Sequence, residues 1–245
     1  MFFNIIILTY NSSKYLRKCL NSVATQNFSE YEILIIDKFS SDNTHEIIDN
    51  YIKNFSNLKV YKKNLGLYES LNFAYKKLNS KYSMILHSDD YFERDDCLEK
   101  IADFINENKN PDIIYSNLKI IKNKKLSRNW ESGVLNFKNI KRGWMPPHPT
   151  MIIKSSIIKE NNLEYDCTLK ISADYDFFLN LFLNYKIKFL YFNYYYYVMR
   201  SGGLSSKNLL SQLIKLKEDN KIIRKYNLPF YTFLMKRLIK LKQFL

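Results

Sequence analysis

Glycine and proline are scarce in this chain, and their scarcity narrows its class. Only 5 Gly and 5 Pro occur in 245 residues, too few for a collagen-like or linker-rich protein. With glycines only at 66, 133, 143, 202 and 203, neither GxGxxG nor GxxxxGK[ST] can form. GxSxG and HExxH are missing as well. These absences argue against a dinucleotide enzyme, a P-loop kinase, a serine hydrolase and a zincin.

Cysteine is also sparse. Cys19, Cys97 and Cys167 are widely separated, so no CxxC pair exists for zinc or thioredoxin-like chemistry. An odd number of thiols predicts reduced cysteines and a cytoplasmic protein. No uncharged apolar run reaches the roughly 18 residues that a membrane span needs. Phe2–Leu8 is too short for a secretory signal, so we expect a first strand there.

Positive charge and aromatic residues are what the chain has in excess. Lys and Arg number 38 against 24 Asp and Glu, a net charge of +14, and there are 20 Tyr and 17 Phe. The charge predicts an anionic partner, which could be nucleic acid, a phosphorylated metabolite or a membrane surface. A hydrophobic fraction of 46% excludes a disordered chain.

Strand and helix patterns alternate through the first half. Apolar runs predict buried strands over 3–8, 32–36, 58–61 and 83–86, with helical spacing between them. This pattern predicts an α/β protein with a Rossmann-like, mainly parallel sheet flanked by helices. In such sheets, the polar residues that follow the strands converge at one edge, where ligands bind. The residues expected there are Thr9, Tyr10, Asn11, Asp37, Asn64, Asp89 and Asp90.

The second half is less regular. Its predicted elements are strands over 112–121 and 150–153, one strand or a pair of strands over 188–200, a loop over 143–149 and a helix over 174–184. The segment 207–245 is predicted to be helical with a break near Pro229. Its ten Lys and Arg residues against two acids carry +8 of the total +14. A basic amphipathic helix of this kind is typical of a membrane interface, although packing on its own domain or on a second copy of the chain explains the pattern equally well.

The pair Asp89-Asp90 is a candidate cation site. Carboxylates at a strand end bind Mg²⁺ or Mn²⁺, and the metal then neutralises a diphosphate. Capping of the following helix is the alternative explanation, and it suits Asp95 and Asp96.

Seven short motifs follow one another in a fixed order along the chain. They are Ile5–Asn11, Ile35–Asp37 with Ser40, Asp42 and Thr44, Asn64–Tyr68 with Asn72 and Ala74, Ser88–Asp90, Pro147–Pro149, Ala173–Phe177 and Gly202–Ser205. The ordered set resembles glycosyltransferase family 2, in particular bacterial members that build surface polysaccharide and lipooligosaccharide. The resemblance implies an inverting enzyme with the GT-A fold. It also implies a catalytic domain over 1–206, with a nucleotide-binding half (1–110) and an acceptor-binding half (111–206), followed by the tail 207–245.

The resemblance also implies roles for donor-site residues. Thr9, Tyr10 and Asn11 would hold the nucleoside, and Asp37 would accept a hydrogen bond from the base, which favours uracil. Asp89 would bind Mn²⁺ or Mg²⁺ beside Asp90 and His87. The other implied donor-site residues are Asn64, Gly66, Ser88 and Arg200. His87 stands where many relatives have the first Asp of a DxD motif, which makes the ligand set softer.

On the acceptor side, the resemblance implies that Asp174 is the general base that deprotonates the attacking hydroxyl. His148 would orient the acceptor or the donor phosphates, or touch the metal, and a histidine that merely packs a loop is the alternative. Plain structural alternatives also exist for Tyr10 as a core residue, for Asp42 as a helix cap and for Arg200 as a solvated charge at a strand end.

The implied function is transfer of a hexose or N-acetylhexosamine from a nucleotide sugar, with UDP expected, to a glycan or lipid-linked acceptor. We expect it in the cytoplasm or on the inner face of the cell membrane. A sugar nucleotidyltransferase also places a metal at strand ends, but it usually carries a Gly-rich loop near its N-terminus. A nucleic-acid-binding protein fits the charge, yet Asp37, Asp89 and Asp174 would repel phosphates.

Overall fold

The four apolar runs of the first half form parallel strands. In the computed structural model, which describes residues 1–202 and 209–242, these are β1 (Phe3–Thr9), β2 (Tyr31–Asp37), β3 (Leu58–Lys62) and β4 (Tyr82–Ile85). They lie in the order β3-β2-β1-β4, each parallel to its neighbour. The predicted parallel sheet is therefore confirmed for the first half of the chain.

The other half of the sheet is mixed rather than parallel. It contains β5 (Tyr91–Phe92), β6 (Ile113–Lys122), β7 (Lys125–Trp130), β8 (Ile152–Lys154) and β9 (Phe189–Arg200). β8 lies antiparallel between β4 and β6, whereas β9 runs parallel to β6 and carries β5 on its other edge. β7 pairs antiparallel with β6, because only Asn123 and Lys124, both with positive φ, separate the two strands.

Helices cover both faces of the sheet. They are α1 (Ser13–Ala24), α2 (Thr44–Asn54), α3 (Leu67–Tyr75), α4 (Cys97–Glu107), α5 (Phe137–Lys141), α6 (Ser155–Glu160), α7 (Ala173–Asn184), α8 (Leu209–Lys225) and α9 (Tyr231–Lys242). Within the described ranges, no helix combines the length and the apolarity that crossing a bilayer requires.

The core lies on both faces of the central strands. Along β1, Ile5 and Ile7 pack with Leu16 and Leu20 of α1, while Ile6 points to the opposite face and its own cluster. Successive side chains of a strand point to opposite faces, so an uninterrupted apolar run needs cover on both sides. Burying each such side chain contributes about 1.5–3 kcal/mol. This packing fixes the strand ends on which the site is built.

The C-terminal helices pack on the same body with one face. Ile222 and Ile223 of α8 are buried, and the buried Asp219 pairs with Lys236 of α9 at 2.9 Å. Leu234 and Leu238 of α9 stay about half exposed. Packing on its own domain thus accounts for one face of the predicted tail and leaves an apolar face open. Residues 203–208 and 243–245, which include Leu204 and Ser205 of the last motif, lie outside the described residues. The domain boundaries at 110/111 and 206/207 stay predictions.

Candidate active site

The polar residues that follow the parallel strands meet at one edge, as predicted. Thr9 is the register partner of Asp37, and Asp37 is that of Lys62 at the end of β3. Ile85 ends β4 beside Ile6, so 87–90 emerge next to the residues that follow β1. A direct link is the 2.9 Å hydrogen bond between the hydroxyls of Ser12 and Ser88.

Asp37 ties the ends of β1 and β2 together. Its carboxylate is 2% exposed and accepts hydrogen bonds from the hydroxyls of Thr9 (2.8 Å) and Ser40 (2.6 Å) and from the Ser40 backbone N–H (3.0 Å). Asn11, in a left-handed conformation with φ 48°, donates its backbone N–H to the Ser40 hydroxyl. Asparagine tolerates this conformation better than most residues. The two loops therefore form one rigid unit.

Two aromatic side chains stand out from this unit. Tyr10 is 61% exposed, which excludes the alternative that it is a core residue, and Lys38 lies 5.7 Å from its ring. Phe39 is also exposed. Asn64 is exposed in the loop after β3, and Gly66 precedes α3, where a Cβ would meet the carboxylate of Glu69. An open ring beside backbone and amide groups suits a flat heterocycle.

Asp42 caps helices. Its carboxylate accepts the backbone N–H of Ser13 at the start of α1 (3.1 Å) and of Thr44 at the start of α2 (3.0 Å). Both groups belong to first helical turns, where backbone donors lack intrahelical partners. The capping role that the sequence offered for Asp42 accounts for these contacts.

The two adjacent carboxylates Asp89 and Asp90 have different surroundings. Asp90 is 2% exposed and accepts hydrogen bonds from the Tyr197 hydroxyl (2.9 Å) and the Arg200 backbone N–H (2.8 Å). Burial, helped by the charge of Asp89, raises the pKa of Asp90 to about 8. Asp89 is half-buried and makes no hydrogen bond to another residue that the structure describes. Asp90 therefore holds the end of β9, and Asp89 is the carboxylate left for a ligand.

Arg200 lies at the same edge. Its guanidinium stacks 3.5 Å from the ring centroid of Tyr15 on α1, and its Nε is buried without a partner in the described parts of the chain. The stacking and the Asp90 contact orient both its side chain and its backbone. These contacts favour an anion-binding role for Arg200 over the alternative that it is a solvated charge at a strand end.

His148 and Asp174 are the predicted acceptor-side residues, and His87 is the predicted metal ligand beside Asp89. The His148 Nε2 lies 2.9 Å from the Tyr165 hydroxyl, which contacts the Tyr75 hydroxyl at 3.0 Å. Burial lowers the pKa of His148 to about 4, and the charge of Asp174 opposes that shift only in part. Burial also lowers the pKa of His87, against the charges of Asp89 and Asp174. Burial therefore favours the neutral form of both imidazoles.

Asp174 is the second residue of α7. It is half-buried, and its Oδ1 accepts the backbone N–H of Tyr175 at 2.8 Å. Asp176, by contrast, is 5% exposed and ion-paired with Lys225 at 2.7 Å. The first turn of α7 therefore carries one carboxylate in an ion pair, that of Asp176, and one half-buried carboxylate, that of Asp174, whose hydrogen bond is local.

Comparison with known proteins identifies the family. The sequence profile of glycosyl transferase family 2 matches residues 4–165, more than half of the chain. The chain belongs to glycosyltransferase family 2. Poly(ribitol-phosphate) beta-N-acetylglucosaminyltransferase TarS of Staphylococcus aureus is 30% identical over 215 residues, which are 83% of this chain and 36% of TarS. The chain thus spans about a third of the length of that relative.

Solved structures agree in fold with this family 2 chain. TarS 1–349 from S. aureus in complex with UDP-GlcNAc superposes with a TM-score of 0.73 at 24% identity, covering 92% of this chain and 71% of that one. The mannosyltransferase PcManGT from Pyrobaculum calidifontis, in complex with GDP-Man and Mn²⁺, reaches 0.65 at 13% identity, covering 96% and 68%. The expected GT-A fold is confirmed, and the nucleotidyltransferase and nucleic-acid alternatives are set aside. The roles of the individual site residues stay predictions, and Asp174 and Arg200 also lie beyond the matched segment.

The donor set at Asp89 fits a metal that shares its ligands with a substrate. Among the described residues, no three His, Cys, Asp or Glu side chains cluster closely enough to cage an ion. Mg²⁺ is usually held by one or two carboxylates together with substrate phosphates rather than by an all-protein cage. Asp89 matches that arrangement, and the neighbouring His87 adds a softer nitrogen donor. Both carboxylate oxygens of Asp90 already accept hydrogen bonds.

Several contributors escaped the sequence reasoning. Ser12, Ser40, Tyr15 and Tyr197 are not among the predicted site residues, yet each makes a contact that shapes the site. Their partners Ser88, Asn11, Arg200 and Asp90 lie 29 to 185 residues away along the chain, and a single sequence holds no signal for such pairs. An exception is Ser40, which the family motif itself contains.

Proposed function

We propose that this domain transfers a hexose or N-acetylhexosamine from a UDP-sugar to a hydroxyl of a glycan or lipid-linked acceptor, with inversion at the anomeric carbon. The observation that carries the proposal is the meeting of two kinds of group at one sheet edge. The strand-end loops of β1, β2 and β4 offer a nucleotide site, and the start of α7, which carries Asp174, is tied to the same region. The Tyr68 hydroxyl of α3 donates to the Ile171 carbonyl just before α7 at 2.8 Å, and Phe177 of α7 stacks on Tyr165, the partner of His148.

The donor would lie along the strand ends. Tyr10 offers a ring for the base, with Thr9, Asn11, Asp37, Asn64 and Gly66 around the nucleoside and Ser88 near the ribose. TarS, which is described in complex with UDP-GlcNAc, supports a uridine nucleotide. PcManGT, described with GDP-Man, shows that the fold alone does not decide the base.

A divalent cation, Mn²⁺ or Mg²⁺, would be held by Asp89 with His87 and the diphosphate. When bound, it stabilises the negative charge that develops on the leaving nucleoside diphosphate. Arg200 would contribute its guanidinium to the same phosphates. Asp90 takes no direct part and keeps Arg200 in place through its backbone N–H.

Asp174 would act as the base. The acceptor hydroxyl gives its proton to the carboxylate as its oxygen attacks the anomeric carbon, and the bond to the diphosphate oxygen breaks on the opposite side. One displacement inverts the centre. The neutral His148, held by Tyr165, would accept or donate a hydrogen bond to the acceptor. The name of TarS supports a polyol-phosphate chain as one acceptor class.

A nucleotide screen tests this function. We expect UDP with Mn²⁺ to raise the melting temperature more than GDP or dTDP, and Tyr10→Ala to weaken UDP binding about tenfold, because base–aromatic stacking contributes about 1–3 kcal/mol. Leu126→Ala, which removes another exposed apolar side chain on β7, is the matched control. A preference for GDP, or Tyr10→Ala binding as tightly as the control, contradicts the assignment.

The open face of the C-terminal helices is proposed to contact an anionic membrane surface. Helix α5 packs beside α9, and a shallow cavity of about 530 Å³ between them is lined by Phe137, Lys138, Lys141, Arg142 and Tyr231. Phe230, Leu234 and Leu238 are exposed as well, and their spacing of four residues places them on one side of this helical segment. Cations that alternate with exposed aromatic and apolar side chains match the charge and polarity of a headgroup layer.

Liposome sedimentation tests the membrane contact. We expect Lys138→Ala with Arg142→Ala to weaken binding to phosphatidylglycerol vesicles roughly thirtyfold, at about 1 kcal/mol per cation. The double variant Lys53→Ala with Lys109→Ala makes the same change in net charge on other exposed positions and should bind like wild type. Equal binding by both variants rejects the surface, and a concentration-dependent dimer that Leu234→Ser abolishes would assign it to a second copy.

A further inference from the structure

One carboxylate of the C-terminal segment binds the backbone just before the helix that carries Asp174. Glu218 of α8 accepts three consecutive backbone N–H groups, from Lys170 at 2.6 Å on Oε1 and from Ile171 at 3.0 Å and Ser172 at 2.8 Å on Oε2. Ser172 is the N-cap of α7. Glu218 lies 46 positions beyond Ser172, so this contact is tertiary and not a local cap.

Two physical effects strengthen the binding of the Glu218 carboxylate to these backbone groups. Hydrogen bonds to an ionised acceptor are roughly twice as strong as neutral ones. A carboxylate near a helix N-terminus is also favoured by the positive end of the helix dipole. From the opposite side, the Tyr68 hydroxyl donates to the Ile171 carbonyl at 2.8 Å. The segment 170–172 is therefore held on both its donor and its acceptor groups.

A second set of contacts from the C-terminal segment lies just after Asp174. Lys225, at the end of α8, donates to both carboxylate oxygens of Asp176 at 2.7 and 3.0 Å, and the Tyr226 hydroxyl donates to the Asp176 backbone carbonyl at 3.2 Å. Between these two sets of contacts, the Lys236 ammonium of α9 lies 3.1 Å from the ring centroid of Tyr175. Asp174 is thus bracketed on both sides by contacts from the C-terminal segment.

We infer that Glu218 is a positioning residue for the general base: by fixing the start of α7, it aims the Asp174 carboxylate at the acceptor hydroxyl. This inference rests on the proposed function. Glu218 acts through the backbone and touches no reacting atom. Its importance follows from the geometry of proton transfer, because a misplacement of about 1 Å can cost about a hundredfold in rate. The C-terminal helices, predicted as a tail, then belong to the catalytic apparatus.

The test separates rate from binding. Glu218→Gln keeps the shape of the side chain but turns one acceptor into a donor that faces backbone N–H groups. We expect UDP release from UDP-GlcNAc, with water as acceptor, to fall 10- to 100-fold while the calorimetric Kd for UDP stays within twofold of wild type. Glu160→Gln, an exposed change on α6, should leave both quantities unchanged. Glu218→Asp, which restores the charge, should recover part of the rate.

Coupling to the base provides the decisive readout. In an Asp174→Asn background, Glu218→Gln should cause no further loss of rate, because there is no base left to position. A Glu218→Gln protein that releases UDP at the wild-type rate, or whose UDP affinity falls in step with its rate, overturns the inference. If that variant does not fold, Lys225→Gln, which removes the ion pair with Asp176, tests the positioning of the start of α7 by the same criteria. A wild-type protein that neither binds UDP nor consumes UDP-GlcNAc overturns the proposed function itself.

Discussion

Asp174→Asn is expected to abolish transfer while nucleotide binding survives. An amide cannot take up the proton of the acceptor hydroxyl, and general-base catalysis contributes about 10²- to 10⁴-fold to rates. The replacement is structurally mild, since the Asn side-chain oxygen can still accept the Tyr175 backbone N–H that Asp174 accepts at 2.8 Å. The start of α7 should therefore keep its conformation. Transfer rate and UDP affinity, measured on the same preparation, give the two readouts.

The matched control for this experiment is Asp103→Asn, which makes the same chemical change at an exposed position of α4. It should leave rate and affinity at wild-type values. Loss of UDP binding together with activity in Asp174→Asn would mean that Asp174 contacts the donor, and it would remove Asp174 from the role of base. A transfer rate close to wild type would do so as well.

Asp89→Ala is expected to remove the metal-dependent part of nucleotide binding. In the presence of Mn²⁺, the Kd for UDP should rise about a hundredfold, because deleting one partner of a desolvated charged contact costs about 2–5 kcal/mol. Chelation by EDTA should weaken UDP binding to the wild-type protein to a similar degree. It should leave the already weakened variant unchanged. Isothermal titration calorimetry with and without EDTA gives all four values.

Asp49→Ala, which removes an exposed carboxylate from α2, is the matched control and should respond to EDTA like wild type. Unchanged UDP affinity of Asp89→Ala with Mn²⁺ present would reject the metal assignment. Asp90 is a poor substitute for Asp89 in this experiment. Its carboxylate holds Tyr197 and the Arg200 backbone, so its removal would also disturb the end of β9.

The first half of the fold and its ligand edge could be predicted because their signals are local. Strands buried on both faces give uninterrupted apolar runs, and β1 to β4 lie within a residue or two of the predicted limits. The carboxyl ends of parallel strands share an edge, so the polar residues behind each run were bound to meet. The short strand β5 and the helices α5 and α6 gave no comparable signal, since elements of two to six residues have too few positions to show a period.

The different surroundings of neighbouring site residues could not be predicted without the tertiary structure. Asp89 and Asp90 are chemically identical neighbours, and only the fold shows that β9 returns to bury one of them. The tail is a similar case. Its composition allowed a membrane, its own domain or a second copy, and the buried Asp219 and Ile222 show that one face was already taken. Acidic residues in a basic segment, Glu218 and Asp219, were the one clue in the sequence to these contacts.

The hydrogen bonds between Glu218 and residues 170–172 also bear on the order in which the site forms during synthesis. Chains are made from the N-terminus, and folding generally proceeds in that order during synthesis. The strand-end loops of β1, β2 and β4 consist of residues up to Asp90, whereas Arg200 at the end of β9 and the start of α7, which waits for α8, depend on residues more than a hundred positions later. A nascent chain on the ribosome would therefore possess these loops well before Arg200 and the base are set. Catalytic competence arrives with α8.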